Sequence, residues 1–517
     1  MSPPVRASAL ALGELDGSTA AEHGTPLPAG VVGVFVTVYA GGRLTGCAGG
    51  FGDDCGTRLP EFVAAAVDDR RFTAAAPADA VAVSVSLLFN RHEIGVADPD
   101  WVVRPTRFAD QALQVRQRDR TGFVLPFVAV THNLTPRQYV LEVIDKAGIT
   151  RPPYRWTRYD CTTWLADGTG VRPMRHGLPV GVPAGSPEAQ AERLYQLLRT
   201  YTGRHHTAPG EPYAARYDVF ADRIHTGAHP ARIAYGAWTK ARAGLKTEAL
   251  EDLDRPEVRL RPDSWLGPDD ASASISELAF VLLTRIELGC ADADTDTGAA
   301  MAAALVGQID RHGRFATHRD ATNAREAFQD YAPGQALLAL AAAAGSGLAE
   351  VPAEPLQAAL RYYRMRFRHN HAWGAVGWLT QACAAWGSIL DDSWAQLAFE
   401  IVDWSLRFQS GKSGAFLNDH QRDAPGATTA LHLEALAAAR ASAEQHGDGA
   451  REHRYRTACE GALAFLDSLI YQPRDAAVLP NPEWAIGGVR TSATASDVRI
   501  DFVHHALSGV LRLGGPR

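Results

Sequence analysis

The sequence predicts a two-part chain, an α+β domain over residues 31–178 followed by an all-α domain over residues 189–517. Three observations carry this. Two-residue alternation of β-branched or aromatic with small or polar residues is concentrated before residue 170, as in Val32–Tyr39, Val81–Leu88 and Trp156–Leu165. The cluster Gly177-Leu178-Pro179-Val180-Gly181-Val182-Pro183-Ala184-Gly185-Ser186-Pro187 then reads as a linker, bounded here as 179–188. From Ala189 onward the apolar residues recur at helical spacing, in about eleven stretches. At 517 residues the chain is long enough for two or three cores.

Residues 1–30 are rich in Gly, Pro, Ala and charge and have no periodicity, which predicts an irregular lead. Val32–Tyr39 and Arg43–Ala48, separated by Ala40-Gly41-Gly42, predict a hairpin whose second strand delivers Cys47 between Gly46 and Gly49-Gly50. Glycines there let backbone N–H groups approach a bound group closely, as a nucleophile or an anion site requires. A small buried thiol is the ordinary alternative. Further strands are expected near 81–89 and 122–130, helices near 58–68 and 136–147, and a closing strand at 156–165 that carries Cys161.

Phe35-Val36-Thr37, a short turn and Leu44-Thr45-Gly46-Cys47-Ala48-Gly49 resemble the signature of the AMMECR1 family, a strand and turn followed by Leu-Arg-Gly-Cys-Ile-Gly. Val81–Leu88, Thr121–Pro126 and Tyr139–Gly148 follow in the family's order, so the resemblance covers roughly residues 30 to 170. Thr45 and Ala48 stand where the signature has arginine and isoleucine, and a Gly/Pro/Ala-rich lead replaces the family's first helical region. The resemblance implies an α+β fold rather than a defined activity.

In the second part, helices are expected near 189–201, 229–243, 273–288, 298–309, 333–345, 354–367, 372–387, 391–409, 427–444, 450–470 and 500–512. Gly313-Arg314-Phe315, Gly414-Ala415-Phe416 and Gly488-Val489-Arg490 each precede a helix that opens with polar side chains, a weak internal repeat. This pattern is similar to the α/α toroids of the N-acylglucosamine 2-epimerase, lanthionine cyclase and terpene cyclase superfolds. That likeness implies inner helices whose N-termini share one mouth, where unpaired N–H groups favour polar or anionic ligands.

The side chains that open those helices supply the candidate site. Asp222 and Arg223, Asp330, Tyr331 and Gln335, His371 and Trp373, His432 and Glu434, and Arg499, Asp501, His504 and His505 all fall there, with His420 nearby. His371, His432, Glu434, Asp501 and His504 are the acid–base candidates. Asp222, Arg223, Asp330, Tyr331, Gln335, Trp373 and Arg499 are the ligand-binding candidates. Helix caps and structural ion pairs use the same residue types. His504 and His505 are adjacent on a helix and lie about 100° apart, so they cannot both face one ion.

Composition and missing motifs narrow the function further. A net charge of -7 gives no footprint for nucleic acid, and no apolar run reaches the length of a membrane span. The six cysteines, at 47, 55, 161, 290, 383 and 459, form no Cys-x-x-Cys and suit a reducing compartment; with no apolar signal core at the N-terminus, the cytoplasm is expected. No nucleotide or flavin motif and no complete metal-ligand motif is present, so the cofactor is unknown. Asp292–Gly298 imitates a calcium loop but has Ala303 in place of the closing Glu, and Gly411-Lys412-Ser413 lacks the first glycine of a phosphate loop.

Three functions fit. The first is a biosynthetic or carbohydrate-modifying enzyme whose barrel binds a small polar metabolite and works by His/Asp/Glu acid–base chemistry. The second is an enzyme with Cys47 as nucleophile and His132 or His176 as base, the barrel supplying recognition. The third is a non-catalytic scaffold, and homo-oligomers are compatible with all three.

Overall fold

The computed structural model describes residues 27–72, 81–181, 185–258, 274–289, 295–318, 325–417 and 425–514. The expectations for His420, Cys290 and most of the lead lie outside these residues. So does the start of the calcium-like run, whose last residues belong to a helix that begins at Thr295.

The first part is an antiparallel sheet. Its strands β1 (Gly33–Ala40), β2 (Arg43–Phe51), β3 (Val81–Val96), β4 (Gln111–Gln117), β5 (Arg120–Val124) and β6 (Arg155–Asp167) lie in the order β2-β1-β3-β6-β4-β5. β7 (Gly170–Arg175) pairs with β6, and β8 (Leu178–Pro179) with β7. Helix α1 (Leu59–Val67) buries Leu59, Phe62, Val63 and Ala66 against β1 and β2. After the short helices α2 (Pro99–Val103) and α3 (Pro126–Thr131) comes α4 (Pro136–Ala147), which packs on β4 and β5. α4 starts at a reciprocal cap, Thr135 with Gln138, and stops at left-handed Gly148.

Two expectations are corrected here. The strand placed at 122–130 ends at Val124, because Pro126 fits the first position of a helical turn and opens α3. The strand placed at 156–165 does not close the domain, since β7 and β8 extend the sheet into the segment read as linker.

The second part contains twelve helices of eight residues or more among the described residues. They are α5 (Pro187–Arg204), α6 (Pro230–Arg242), α7 (Lys246–Leu253), α8 (Ile275–Glu287), α9 (Thr295–Gly307), α10 (Ala332–Gly345), α11 (Ala353–His369), α12 (Trp373–Ile389), α13 (Asp392–Ser405), α14 (Thr429–Gln445), α15 (Gly449–Leu469) and α16 (Ile500–Arg512). Contacts run α6 to α8, α10, α12, α14, α16 and back to α6, a closed inner ring of six. The other six alternate with them on the outside, so the domain is an α/α toroid. α7 is the helix missing from the sequence reading, and it supplies the outer partner that makes six pairs.

The repeated Gly-x-x turns have a shared geometry. Gly313, Gly414 and Gly487 have φ of +89°, +77° and +93°, and a Cβ at each would sit 2.1, 2.0 and 2.4 Å from a carbonyl oxygen of α11, α15 and α5. In the third turn the left-handed residue is Gly487, one position before the glycine singled out from sequence. Each turn forms a bridge just after an outer helix, Ile309 with Phe315, Gln409 with Phe416 and Ile470 with Val489. The chain is thereby turned inward to start the next inner helix.

The two parts share one core. Tyr39, Ala82, Leu165, Met174 and Leu178 of the sheet belong to the same buried cluster as Leu194 and Leu198 of α5. The Gly41-Gly42 hairpin tip presses on the barrel, where a Cβ on Gly42 would lie 1.8 Å from the Leu479 carbonyl oxygen. Asn133 Oδ1 accepts from the backbone N–H of Ser496 (2.7 Å) and Asp497 (3.2 Å).

Replacing Gly414 by Ala combines a disfavoured φ with a backbone clash and is expected to cost at least about 2 kcal/mol. Gly411, which has open space where a Cβ would go, should tolerate Ala within about 0.5 kcal/mol. Urea unfolding of the two variants beside the parent tests this, and equal midpoints would refute it.

Candidate functional site

The first turns of the inner helices meet at one end of the ring. Arg232 on α6 lies 3.6 Å from Asp501 on α16, and His229, the cap of α6, lies 4.0 Å from Glu277 on α8. A Cβ on Gly374 of α12 would touch Asp330 at the start of α10, and the Trp373 and His432 rings of α12 and α14 are 5.3 Å apart. This end is the mouth that the toroid likeness implies.

Below it, the axis is filled by aromatic rings. Tyr235 packs on Phe280 (5.1 Å), Trp378 (5.2 Å) and His505 (4.6 Å). Glu434, fully buried, sits behind them and is the acceptor for four donors: His505 Nδ1 (2.6 Å), Ser508 Oγ (2.9 Å), Tyr235 OH (3.2 Å) and Gln381 Nε2 (3.3 Å). Because the carboxylate only accepts, the His505 proton stays on Nδ1, and the Tyr235 hydroxyl also donates to Glu434. His505 Nε2 is then the free lone pair. It has no partner among the described residues, and the side chain is 16% exposed in an otherwise buried surround. A carboxylate that fixes one ring nitrogen and leaves the other free is the arrangement of a general base. Arg242 donates to Ser508 Oγ (2.8 Å) beneath it, extending the chain of bonds to Arg242–Ser508–Glu434–His505.

The structure distributes the candidates read from sequence as follows. Glu434 joins His505. Asp501 is held by Arg499 (3.1 and 2.5 Å) and Arg232 at the mouth. Tyr331 is half-buried there against Phe328, and Gln335 is buried one turn below. Asp330 is taken by Arg366 (2.6 Å). His371 stacks on Trp404 (5.2 Å), and Trp373 packs on Trp404 and Phe408, a separate aromatic cluster.

His432 lies face to face with Phe416 at 4.3 Å, is 5% exposed, and is pushed down to about 3 by burial. His504 is fully buried near Gly236 and Tyr213, and burial holds it well below its usual range. The helix thus turns His504 away from the axis and His505 toward it. The stripe Asp501, His505, Ser508, Arg512, at i, i+4, i+7 and i+11, is the sequence signal that separates the two.

The remaining candidates stand at the junction of the two parts. Asp222 accepts from Tyr217 OH (2.6 Å) and from Arg43 of β2 (3.3 Å), and Arg223 is exposed beside it. Cys47 lines a cavity of about 1550 Å³ bounded by β1, β2, β5, α3 and α4 and by the barrel segments around Asp218–Ala221 and Val478–Pro480. Its Sγ accepts from Thr37 Oγ1 (3.4 Å), its N–H donates to Asp69 (3.0 Å), and its carbonyl accepts from Arg71 (2.7 Å). Burial pushes the thiol up, so it rests protonated. His132 lines the same cavity, whereas His176 pairs with Asp110 (3.2 Å) beside Cys161 in a different, small one. Among the described residues no three His, Cys, Asp or Glu side chains stand close enough to hold a metal ion.

Comparison with known proteins bears on the first part. Residues 9–165 match the family model described as AMMECR1. The AMMECR1 domain therefore carries the Cys47 hairpin and most of the cavity wall. Over the same part the chain is similar to an uncharacterised protein of Pyrococcus horikoshii, with 22% identity, 33% of this chain and 94% of the other covered, and a TM-score of 0.29. Over the toroid it is similar to an unsaturated glucuronyl hydrolase specific for heparin, with 12% identity, 63% and 97% covered, and a TM-score of 0.45. A type II terpene cyclase from Scytonema gives 14% identity, 63% and 98% covered, and a TM-score of 0.39. No curated protein matches the chain. No helix among the described residues is long and apolar enough to cross a membrane.

The neutral, buried His432 makes stability depend on pH. Its folded value of about 3 lies below the unfolded value of about 6.5, so its contribution is whole above pH 6.5 and is lost as pH falls toward 3, at about 1.4 kcal/mol per pH unit. Between pH 7.5 and 4.5 the parent should therefore lose about 2–3 kcal/mol more than His432→Phe. Chemical denaturation at both pH values measures the difference; equal losses would show that His432 is not held neutral.

Proposed function

We propose that the toroid is an acid–base enzyme acting on a small polar, sugar-like metabolite, with His505 Nε2 as the proton-transferring group and Glu434 as the residue that orients it. The observation that carries this reading is the 2.6 Å bond from His505 Nδ1 to a buried carboxylate while Nε2 has no partner among the described residues. Trp378 and Tyr235 pack against the His505 ring with Phe280 beside Tyr235, all three buried, and Arg232, Arg499, Asp501 and Tyr331 supply polar groups at the mouth. A positioned acid–base group of this kind contributes about 10²–10⁴ in rate.

Cys47 is the weaker centre. Its thiol is held protonated, and its hydrogen-bond partner is a threonine hydroxyl rather than a base. Glu434 also explains a scaffold poorly, because burying a carboxylate under four donors beside an open imidazole is costly where apolar packing would serve.

The test is a screen of free sugars, uronates and N-acyl sugars in D₂O, read by NMR for deuterium incorporation or product. For any substrate found, His505→Gln keeps a donor to Glu434 and should melt like the parent while kcat falls by about 10²–10⁴. Retained turnover in His505→Gln, or turnover abolished by Cys47→Ser instead, would overturn the assignment.

A further inference from the structure

The sheet of the AMMECR1 domain curls until its two ends meet. Strands β2 and β5 are the outermost in the sheet order, yet Phe51 of β2 packs edge-on against Phe123 of β5 at 5.3 Å, and Phe35 of β1 stacks on the same ring at 4.4 Å. Phe35 and Phe123 line the cavity of about 1550 Å³ between this domain and the barrel. Phe127 adds a third ring, and Phe220, on the barrel turn that follows strand β9 (Ala214–Asp218), adds a fourth from the opposite side. The volume exceeds what a drug-sized ligand occupies.

The lining is graded from depth to opening. Val124, Leu125 and Phe127 are buried, Phe35, Phe123 and Phe220 are half-buried, and His132, Asp145 and Lys146 are exposed. Protein interiors are otherwise close-packed, so three phenyl rings left half-buried in one concavity present apolar surface that a flat ligand would take out of water. The charges on the wall are already compensated. Arg43 is paired with Asp222 (3.3 Å) and Arg71 with Asp69 (2.6 Å). Lys146 is solvated at the end of α4, next to Asp145 and one turn from Glu142, and the barrel adds Asp218. An anionic group on a ligand would therefore meet no unpaired guanidinium among these residues and several carboxylates, and its desolvation would go unrewarded.

We propose that this cavity is a binding site for a flat, apolar aromatic molecule that carries no anionic group, held by ring stacking on Phe35 and Phe123 and enclosed by Phe220 from the barrel. Ligands bearing a phosphate or a carboxylate are rejected by the wall. Both parts of the chain supply the site, so the ligand bridges the AMMECR1 domain and the toroid and strengthens their junction. The site is separate from the His505 centre and does not depend on its chemistry.

The test is a fluorescence titration of the full chain with N-phenyl-1-naphthylamine, beside 8-anilinonaphthalene-1-sulfonate, which has the same rings and an added sulfonate. The neutral probe should bind saturably at a single site and raise the melting temperature, and the sulfonate should bind about tenfold more weakly or worse. Ala221→Trp and Thr121→Trp fill the cavity from exposed positions on its two walls. Each should melt like the parent without probe and weaken the neutral probe by about tenfold or more, since the added ring takes the ligand's place. Cys47→Ser and His505→Gln should bind it as the parent does, so this result and the fate of the toroid centre are read separately. Equal or tighter binding of the sulfonate, or neutral-probe binding untouched by both tryptophan variants, would refute the site.

Discussion

Glu434 is the constraint on which the barrel depends. One buried carboxylate on α14 collects donors from α6, α12 and α16, so four of the six inner helices meet at a single group. Taking such a charge out of water is offset only when its lone pairs are all used, and removing one partner of a buried ionic network typically costs about 3–5 kcal/mol. The network therefore fixes the relative rotation of the helices more strictly than apolar packing could, because alanine-rich faces such as Ala336–Ala344 slide with little penalty. The same bonds leave one imidazole nitrogen of His505 unused, so structural closure and chemical potential arise from one set of contacts.

A second buried ionic cluster does similar work at the rim of the barrel. Lys240 on α6 donates to Asp252 on α7 (2.6 Å), and Arg255 joins the same carboxylate while reaching the backbone of residues 207, 208 and 211. It ties the outer helix to the inner one where few apolar residues are present to do so. In both clusters the polar groups are almost fully enclosed, and the neighbouring rings of Tyr213 and Tyr235 complete the enclosure.

Sequence periodicity was enough wherever a buried face was apolar. β1, the Gly41-Gly42 turn, α4 and most toroid helices were legible on that ground. The elements it failed to reveal bury polar groups. β4 encloses Gln111 and Gln114, which are satisfied by Asp160 and by the Tyr159 hydroxyl, so its alternation is not one of hydrophobicity. α7 buries Asp252 under Lys240 and reads as a charged surface stretch. Which of His504 and His505 faces the axis was not legible for a related reason: the ring's inner surface carries charge and aromatic rings while its outer contacts are apolar, so amphipathicity does not say which way a histidine points. The paired faces around Cys47 were out of reach for another reason, because one side of that cavity is contributed by barrel segments more than 150 residues further along the chain.

The closure of the ring also sets the order in which the chain can be completed during synthesis. Tyr235 and His505 pack together across 270 residues of sequence, and the face of α6 that receives α16 stays open until that helix has left the ribosome. The AMMECR1 domain has its strands and helices in hand long before that point and can fold as the chain emerges. The toroid cannot. Its first inner helix waits for its last, so the nascent chain carries an unsatisfied apolar and ionic seam through most of its elongation, and assembly of the barrel is a late, long-range event governed by the C-terminus.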